Sequence, residues 1–521
     1  MQHKIGLTQR RICPLLLALI ATAMLYAMPK QSAEGAKIFS YALEGNPESL
    51  DFAKSSSLRT ERVVWLLCDQ LVYVSKDGKD LEPGLAESWT MSPDGRDVVM
   101  KLRRGATFHD GTPINASAVK ASIERQFKPD HPLYTKEPAN TKEKMLAQLV
   151  AEIRVNDERT LAIRLYSPGL HYLSDIDIAS PTALAKLGKD FGRTPVCSGP
   201  FRFESWSDDK ITLTAYEKYW GGRPRIDQVV FYIISASETL FEKMSKGELD
   251  FWASITDPPV LERLRESQGV ALIAVPGINI FYLGMYTERP PFNNPVARKA
   301  ISHAVNVVRN AQVLGRGTAE AAKGPLSPAM KGYAADVAQA EYNPETARDM
   351  WEKAGLQGTK LGLVFNSAHG YISDHAVAIH NELNRIGITV ELLGKPSFAD
   401  ADRAVRAREG DMFISNWFVR APYPERILMP LFHSSGAGVT NLTRYHNPQV
   451  DRGLNEAMRL PEGAEQRRLY SQVQHAIVND APAVFLFHWT RMAAYRQTVK
   501  GLSLKLDSAP ADKLVRVDVT P

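Results

Sequence analysis

Cysteine is scarce in this chain, with three among 521 residues. A disulfide-dense scaffold is therefore excluded, and no C-x-x-C pair offers a zinc or redox centre. Cys13 lies in the N-terminal apolar run, which leaves Cys68 and Cys197 for the folded part. These two could pair in an oxidising compartment. However, Cys68 falls in a helix-like stretch and Cys197 in a loop, with nothing to bring them together, and we expect two buried thiols.

A strong excess of charge is missing as well. The formal net charge is +5, of which residues 1–33 hold +4 and no acidic side chain, so the difference leaves about +1 for the remainder. No basic run appears later in the chain. Such a charge excludes the electrostatic surface that nucleic acids or anionic membranes require, and we expect no nucleic-acid partner.

Long apolar runs are confined to the N-terminus. Lys4, Arg10 and Arg11 precede an apolar run at residues 12–28, and a breaker with small residues follows. This order is typical of a cleavable secretory signal peptide, which we assign to residues 1–33, and the run is short for a membrane span. The sequence therefore predicts export to the periplasm.

Motifs of catalysis and metal binding are also missing. The chain has no Walker loop and no HExxH, and His433 replaces the first glycine of a nucleophile elbow in "HSSGAG". His375 and His380 are five residues apart, so a helix places them on different faces. We therefore expect no metal, no cofactor and no catalytic residue. A binding protein is favoured, and a secreted hydrolase is a remote alternative.

The pattern of apolar residues indicates a mixed α/β protein. Strand-like stretches of period two alternate with helical stretches along the whole chain after the leader. Residues 360–393 read as strand, helix and strand, which predicts a βαβ unit with parallel strands. A length of 521 residues exceeds a single core, so we expect more than one lobe.

Several segments in a fixed order resemble the family 5 extracellular solute-binding proteins, the peptide, nickel and opine receptors of bacterial ABC importers. They include "LEPGLAESWTMSPDGRDVVMKLRRGATFHDGTPINASAVKASIER" at residues 81–125, "SGPFRFESW", "YWGGRPRIDQVVF", "KMSKGELDFW", "FYLGMYTERPPFNNPVARKAISHAVN", "YNPETARDMWEKAG" and "RYHNPQVDRGLNEA". The matches span nearly the whole chain after the leader.

The resemblance implies a two-lobe periplasmic binding protein of the cluster C type, with mixed sheets and a hinge. Lobe I would hold residues 34–284 and 495–521, with an inserted subdomain at about 64–189, and lobe II residues 285–494. It also implies a monomer that closes around a small-molecule ligand and presents it to a membrane permease.

The stretch "NWFVRAPYPER", residues 416–426, stands where peptide receptors of this family carry an aspartate for the peptide ammonium. Arg420 falls at that aspartate, and a guanidinium favours a carboxylate or phosphate. A structural carboxylate such as Glu425 is the alternative partner. The other candidate ligand-binding residues are Trp417, Ser434, Ser435, Gly436, Ala437, Gly438, Glu44, Asn46, Tyr282 and Ser198.

These residues favour a polar, anionic ligand. Gly436 and Gly438 could turn backbone N–H groups towards an anion, although a plain turn is the alternative. Within the family, sugar-phosphate opines such as agrocinopines fit best and are the leading expectation. An oligopeptide or glutathione-like receptor, with Arg420 holding a carboxylate, is the alternative.

Overall fold

The computed structural model describes residues 35–55, 57–134, 141–368 and 370–519. The predicted signal peptide lies outside the described residues. Among the described residues, no helix is both long and apolar enough to cross a bilayer.

The strands, in chain order, are β1 Ile38–Leu43, β2 Asp69–Gln70, β3 Val72–Val74, β4 Leu81–Pro83, β5 Ala86–Met91, β6 Asp97–Leu102, β7 Val150–Asp157, β8 Thr160–Leu165, β9 Asp177–Ile178, β10 Phe201–Trp206, β11 Lys210–Ala215, β12 Gln228–Ile233, β13 Phe251–Ile255, β14 Val270–Val275, β15 Asn279–Met285, β16 Ala319–Ala321, β17 Lys360–Asn366, β18 Thr389–Lys395, β19 Met412–Phe418, β20 Ala483–Trp489, β21 Arg491–Arg496, β22 Val499–Lys500 and β23 Asp518–Val519.

The α-helices are α1 Leu58–Leu67, α2 Ala116–Glu124, α3 Thr141–Leu149, α4 Pro181–Leu187, α5 Ser237–Ser245, α6 Pro258–Glu266, α7 Pro295–Ala304, α8 Val307–Gly315, α9 Pro344–Lys353, α10 Gly370–Arg385, α11 Phe398–Arg406, α12 Glu425–Phe432, α13 Pro448–Ala457 and α14 Ala464–Asp480. Short 3₁₀ helices lie at Leu170–Asp175, Gly188–Gly192 and Ser434–Gly436.

Lobe I is built on a seven-stranded sheet in the order β10-β11-β12-β1-β13-β21-β14. Strand β1 runs parallel to both β12 and β13, and four of its six residues are buried. Tyr41 stands between Phe231 and Phe251, with ring centroids 4.7 and 4.8 Å away. Aromatic burial of this size dominates the energetics of a core, so this cluster anchors the lobe.

An inserted subdomain extends from lobe I. Its antiparallel sheet has the order β5-β6-β8-β7 and carries its own apolar core, which includes Met100, Phe108 and Leu161. The hairpin of β3 and β4 and the 3₁₀ helix Leu170–Asp175 belong to this part of the chain. The subdomain therefore folds around a core separate from that of the seven-stranded sheet.

Lobe II is built on a six-stranded sheet in the order β16-β20-β15-β19-β17-β18. Strands β17 and β18 are parallel and joined by α10, which confirms the predicted βαβ unit. Ala376, Ile379 and Leu383 form the buried face of α10, because residues three and four apart share one side of a helix. The fold is thus the expected mixed α/β arrangement of two lobes.

The described chain passes between the two large sheets twice. It leaves the seven-stranded sheet after Val275, joins the six-stranded one at Asn279, and returns across Thr490. The domain boundaries predicted at 284 and 495 fall inside strands β15 and β21, a few residues beyond these crossings. The crossings lie side by side, because a Cβ on Gly277 would meet the carbonyl oxygen of Trp489 at 2.1 Å.

Cys68 and Cys197 form a disulfide, so the expectation of two buried thiols is wrong. The two cysteines are 129 residues apart, and the inserted subdomain lies between them. Its two connecting segments touch at the base, where Gly199 N–H donates to the carbonyl of Leu67 at 2.8 Å. A Cβ on Gly199 would lie 2.6 Å from that backbone, so glycine permits the approach that brings the sulfurs together.

We expect this disulfide to stabilise the folded chain by about 2–5 kcal/mol, because it restricts the long loop in the unfolded state. Urea unfolding of the oxidised wild type and of a Cys68→Ala/Cys197→Ala double variant would measure the difference. Reductant should lower the wild type to the level of the double variant and leave the variant unaffected. Equal stability of oxidised wild type and double variant would contradict the prediction.

Candidate functional site

The candidate site lies where a loop of lobe II meets the first helix of lobe I. Arg420 follows strand β19, and its guanidinium forms an ion pair with the carboxylate of Glu61. Glu61 stands in the first turn of α1, where the helix dipole favours a negative charge and Ser57 caps the helix. The arginine that the sequence places in an apolar run is therefore paired across the cleft, with Glu61 rather than with Glu425.

Arg420 is partly buried, so its charged guanidinium requires a negative partner. Its side chain is 32% exposed and that of Glu61 is 19% exposed, so both touch the cleft while protein surrounds them. Desolvation lowers the pKa of Arg420 to about 10, and the nearby carboxylate of Asp507 opposes that shift. Arg420 therefore remains a cation at neutral pH.

Two further guanidinium groups, Arg62 and Arg491, share the field of Asp507. Arg62 forms an ion pair with Glu44, and Arg491 donates to the carbonyl of Asp507 at 2.9 Å. With Arg420 and Glu61, the site thus combines three guanidinium groups and three carboxylates. Its charges balance, which sequence analysis did not predict.

Apolar rings complete the wall near Arg420. The guanidinium carbon of Arg491 lies 5.5 Å from the ring centre of Phe418, whose side chain is 44% exposed. Trp417 is half-buried, and its indole N–H donates to the carbonyl of Arg426 at 2.8 Å. Phe418 therefore places an aromatic ring beside the charges, whereas Trp417, the preceding strand residue, packs against the core of lobe II.

The lobe I candidates have protein partners. Glu44 accepts from the indole of Trp252 at 3.0 Å, in addition to its ion pair with Arg62. The Asn46 side-chain oxygen accepts from the indole of Trp206 at 3.0 Å. Ser198 is buried, and its hydroxyl accepts from the backbone of Asp69 at 3.3 Å. Glu44 therefore belongs to the charged cluster through its ion pair with Arg62, and the indole of Trp252 holds its carboxylate in place.

Tyr282 lies in the sheet of lobe II, opposite Ser415 of strand β19. Its side chain is 3% exposed, and burial raises its pKa to about 12. The hydroxyl therefore stays protonated at physiological pH.

The Gly-rich turn at residues 434–438 holds its own carboxylate. The backbone N–H and the hydroxyl of Ser434 both donate to Asp451, at 2.9 and 2.5 Å, and Ser435 N–H donates to His433. The backbone N–H groups of Gly436, Ala437 and Gly438 donate to protein carbonyls. Every predicted backbone donor of this turn is thus engaged, and its role in binding a ligand anion remains a prediction.

Sequence reasoning missed Glu61, Arg62, Arg491 and Asp507. They come from the first helix, the second chain crossing and the C-terminal segment, and no local pattern connects them. Arg426 and Asp175 form a further interlobe ion pair at 2.5 Å that was not foreseen either. Arg426 belongs to the stretch 416–426, but Asp175 is 251 residues away in sequence, so no local pattern predicts the pair.

A cavity of about 410 Å³ lies between the inserted subdomain and lobe II. Trp89, His171, Tyr423 and Tyr470 are among the residues that line it. Within the part of the chain that the structure describes, no three His, Cys, Asp or Glu side chains converge to hold a metal ion. None of the described residues that line this cavity belongs to the charged cluster around Arg420, so the cavity is separate from the candidate site.

Comparison of the sequence with known families gives a match to the bacterial extracellular solute-binding proteins, family 5 Middle, over residues 80–439. The chain is 29% identical to heme-binding protein A of Haemophilus influenzae, over 83% of each protein. It is 28% identical to the glutathione-binding protein GsiB of Escherichia coli K12, over 94% of this chain and 96% of the relative.

Two solved structures share the architecture. HbpA2 from Haemophilus parasuis superposes with a TM-score of 0.82 at 23% identity, over 93% of this chain and all of that one, which shows the fold. DppA from Helicobacter pylori, in complex with the peptide STSA, gives 0.79 at 25% identity, over 94% and 98%. The chain therefore belongs to family 5 of the bacterial extracellular solute-binding proteins, the non-enzymatic receptors of ABC importers.

Proposed function

We propose that this receptor captures a small zwitterionic, peptide-like solute in the periplasm and passes it, as a monomer, to the permease of an ABC importer. The observation that carries the proposal is the ion pair between Arg420 and Glu61, which joins the lobes across the cleft. A solute that enters between these groups must provide a negative group to Arg420 and a positive group to Glu61.

The cost of separating the pair selects the solute. Removing one partner of a buried ion pair costs about 3–5 kcal/mol, and less where water reaches the site, as it does here. An anion that takes Arg420 leaves Glu61 without its partner. A zwitterion presents a carboxylate to Arg420 and an ammonium group to Glu61, so neither charge is left alone.

The rest of the cluster fits the same chemistry. Three guanidinium groups face three carboxylates, so the site has no excess charge with which to attract a pure anion. Phe418, which is exposed at the end of β19, offers an aromatic face to an apolar side chain of the solute. The glutathione-binding relatives and the peptide-bound DppA structure support a peptide-like solute.

A sugar-phosphate opine is the second candidate, and the three converging guanidinium groups favour it. Guanidinium binds phosphate oxygens in pairs, so a phosphodiester could span two of them. Structures of AgaA with agropinic acid and of MoaA with mannopinic acid resemble this chain at 22% and 21% identity, a likeness of fold alone. A ligand with only negative charge would take Arg420 and leave Glu61 without its partner, which argues against this candidate.

Calorimetry would compare a dipeptide, glutathione and a sugar phosphodiester. We expect a peptide zwitterion to bind more tightly than the phosphodiester, and Arg420→Ala to weaken peptide binding by about 10–150-fold, because a charge-assisted contact contributes about 1.5–3 kcal/mol. Arg403→Ala, at an exposed arginine paired with Asp400, is the matched control and should not change affinity. Tighter binding of the phosphodiester than of every peptide tested would overturn the proposal.

Glu61→Gln should change the affinities for the two classes of ligand in opposite directions. Loss of the carboxylate removes the site for the peptide ammonium and also frees Arg420 for an anion. We therefore expect about tenfold weaker binding of a dipeptide and tighter binding of the phosphodiester. Glu248→Gln, at an exposed glutamate paired with Lys243, is the control. A shift of both ligands in the same direction would show that Glu61 does not meet the solute.

A further inference from the structure

A second group of contacts joins the lobes away from Arg420. Arg426, at the start of α12 in lobe II, forms an ion pair of 2.5 Å with Asp175 of the inserted subdomain. The side chains are 11% and 14% exposed, so this pair is shielded from water more than an ordinary surface pair. The guanidinium carbon of Arg426 also lies 4.7 Å from the ring centre of Tyr172.

The neighbouring residues extend the contact. His171 Nε2 lies 2.7 Å from Glu425 Oε1. The His171 ring stacks on Tyr423, with centroids 3.7 Å apart and planes inclined by 14°. Each of these contacts links the 3₁₀ helix Leu170–Asp175 to lobe II.

Apolar packing supports the same junction. Val74 of strand β3 clusters with Ala421 and Tyr423, and Leu81 packs against them. Gly78, in the turn between β3 and β4, lies against Pro422, where a Cβ would approach the proline ring to 2.4 Å. We call these contacts, from residues 74–81 and 170–175 to residues 421–426, the latch.

We infer that the latch closes the two lobes without any solute, and that Arg426 is a positioning residue for the solute site. The ion pair, the stacked rings and the apolar cluster all join residues of this chain. The carbonyl of Arg426 holds the indole of Trp417, and Arg420 lies in the loop between them. The side chain of Arg426 thus ties closure to the geometry of the site.

The latch also sets the affinity for solute. A ligand that binds the closed form gains apparent affinity in proportion to the fraction of molecules already closed. A latch that raises this fraction therefore tightens binding through contacts between residues of this chain. This inference does not depend on which solute is bound.

Small-angle scattering of the solute-free protein tests the inference directly. The wild-type profile should match the closed structure, and Asp175→Asn should increase the radius of gyration. Hydrogen exchange of residues 416–426 should become about tenfold faster or more in that variant, as expected where the open fraction rises by that factor. Glu465→Gln, which breaks an exposed pair with Arg468, is the control and should change neither measurement.

Arg426→Gln and the Arg426→Gln/Asp175→Asn double variant complete a cycle. We expect the double variant to open no further than either single one, because both remove the same contact. If Asp175→Asn does not fold, Arg426→Lys keeps the charge but loses the planar guanidinium, and it should open the protein in part. An open wild-type profile, or a radius of gyration unchanged in every folded variant, would overturn the inference.

Discussion

The structure depends on how the side chain of Asn279 holds the two chain crossings together. Its amide donates to the carbonyl of Trp489 at 2.9 Å and accepts from the N–H of the same residue at 2.8 Å. Asn279 is fully buried, so these hydrogen bonds replace water completely and leave little freedom at the junction. The two crossings therefore meet the lobe II sheet side by side, at the ends of β15 and β20.

In the proposed site, the ion pair between Arg420 and Glu61 determines which solutes gain free energy on binding. In a cleft lined by an unpaired arginine, any anion would gain from binding. Here the arginine is already paired with a carboxylate. A solute therefore gains only the difference in free energy between its own contacts and the ion pair that it replaces. Selection therefore depends on the difference between two bound states.

Much of the fold could be predicted from the sequence, because local periodicity and ordered family segments carry it. The βαβ unit at residues 360–393 is an example in which neighbouring residues suffice. The disulfide was predicted wrongly, because the contact between Cys68 and Cys197 exists only after the inserted subdomain returns to its base. Gly199, which permits that approach, gave no signal of its partner in the sequence.

The candidate site divides in the same way. Arg420 was identifiable as a charge in an apolar run, since local sequence shows the cost of burying it. Its partner was not, because Glu61 lies on an ordinary amphipathic helix and becomes special only when the lobes meet. The hydroxyls and N–H groups of residues 434–438 illustrate the reverse case. Their pattern favours an anion site, yet the structure supplies Asp451 from α13 as an internal acceptor.

In the proposed site, residues 416–426 would combine solute recognition by Arg420 with the latch, within eleven consecutive positions. Arg420 pairs with Glu61 of lobe I, whereas Arg426 and Tyr423 contact the inserted subdomain. Because one segment carries both, a solute that displaces Arg420 from Glu61 pulls on the same backbone that the latch holds. The latch keeps the segment in place while one ion pair is exchanged for contacts to the solute. The proposed latch would therefore keep the lobes in contact through other residues when the pair between Arg420 and Glu61 is broken.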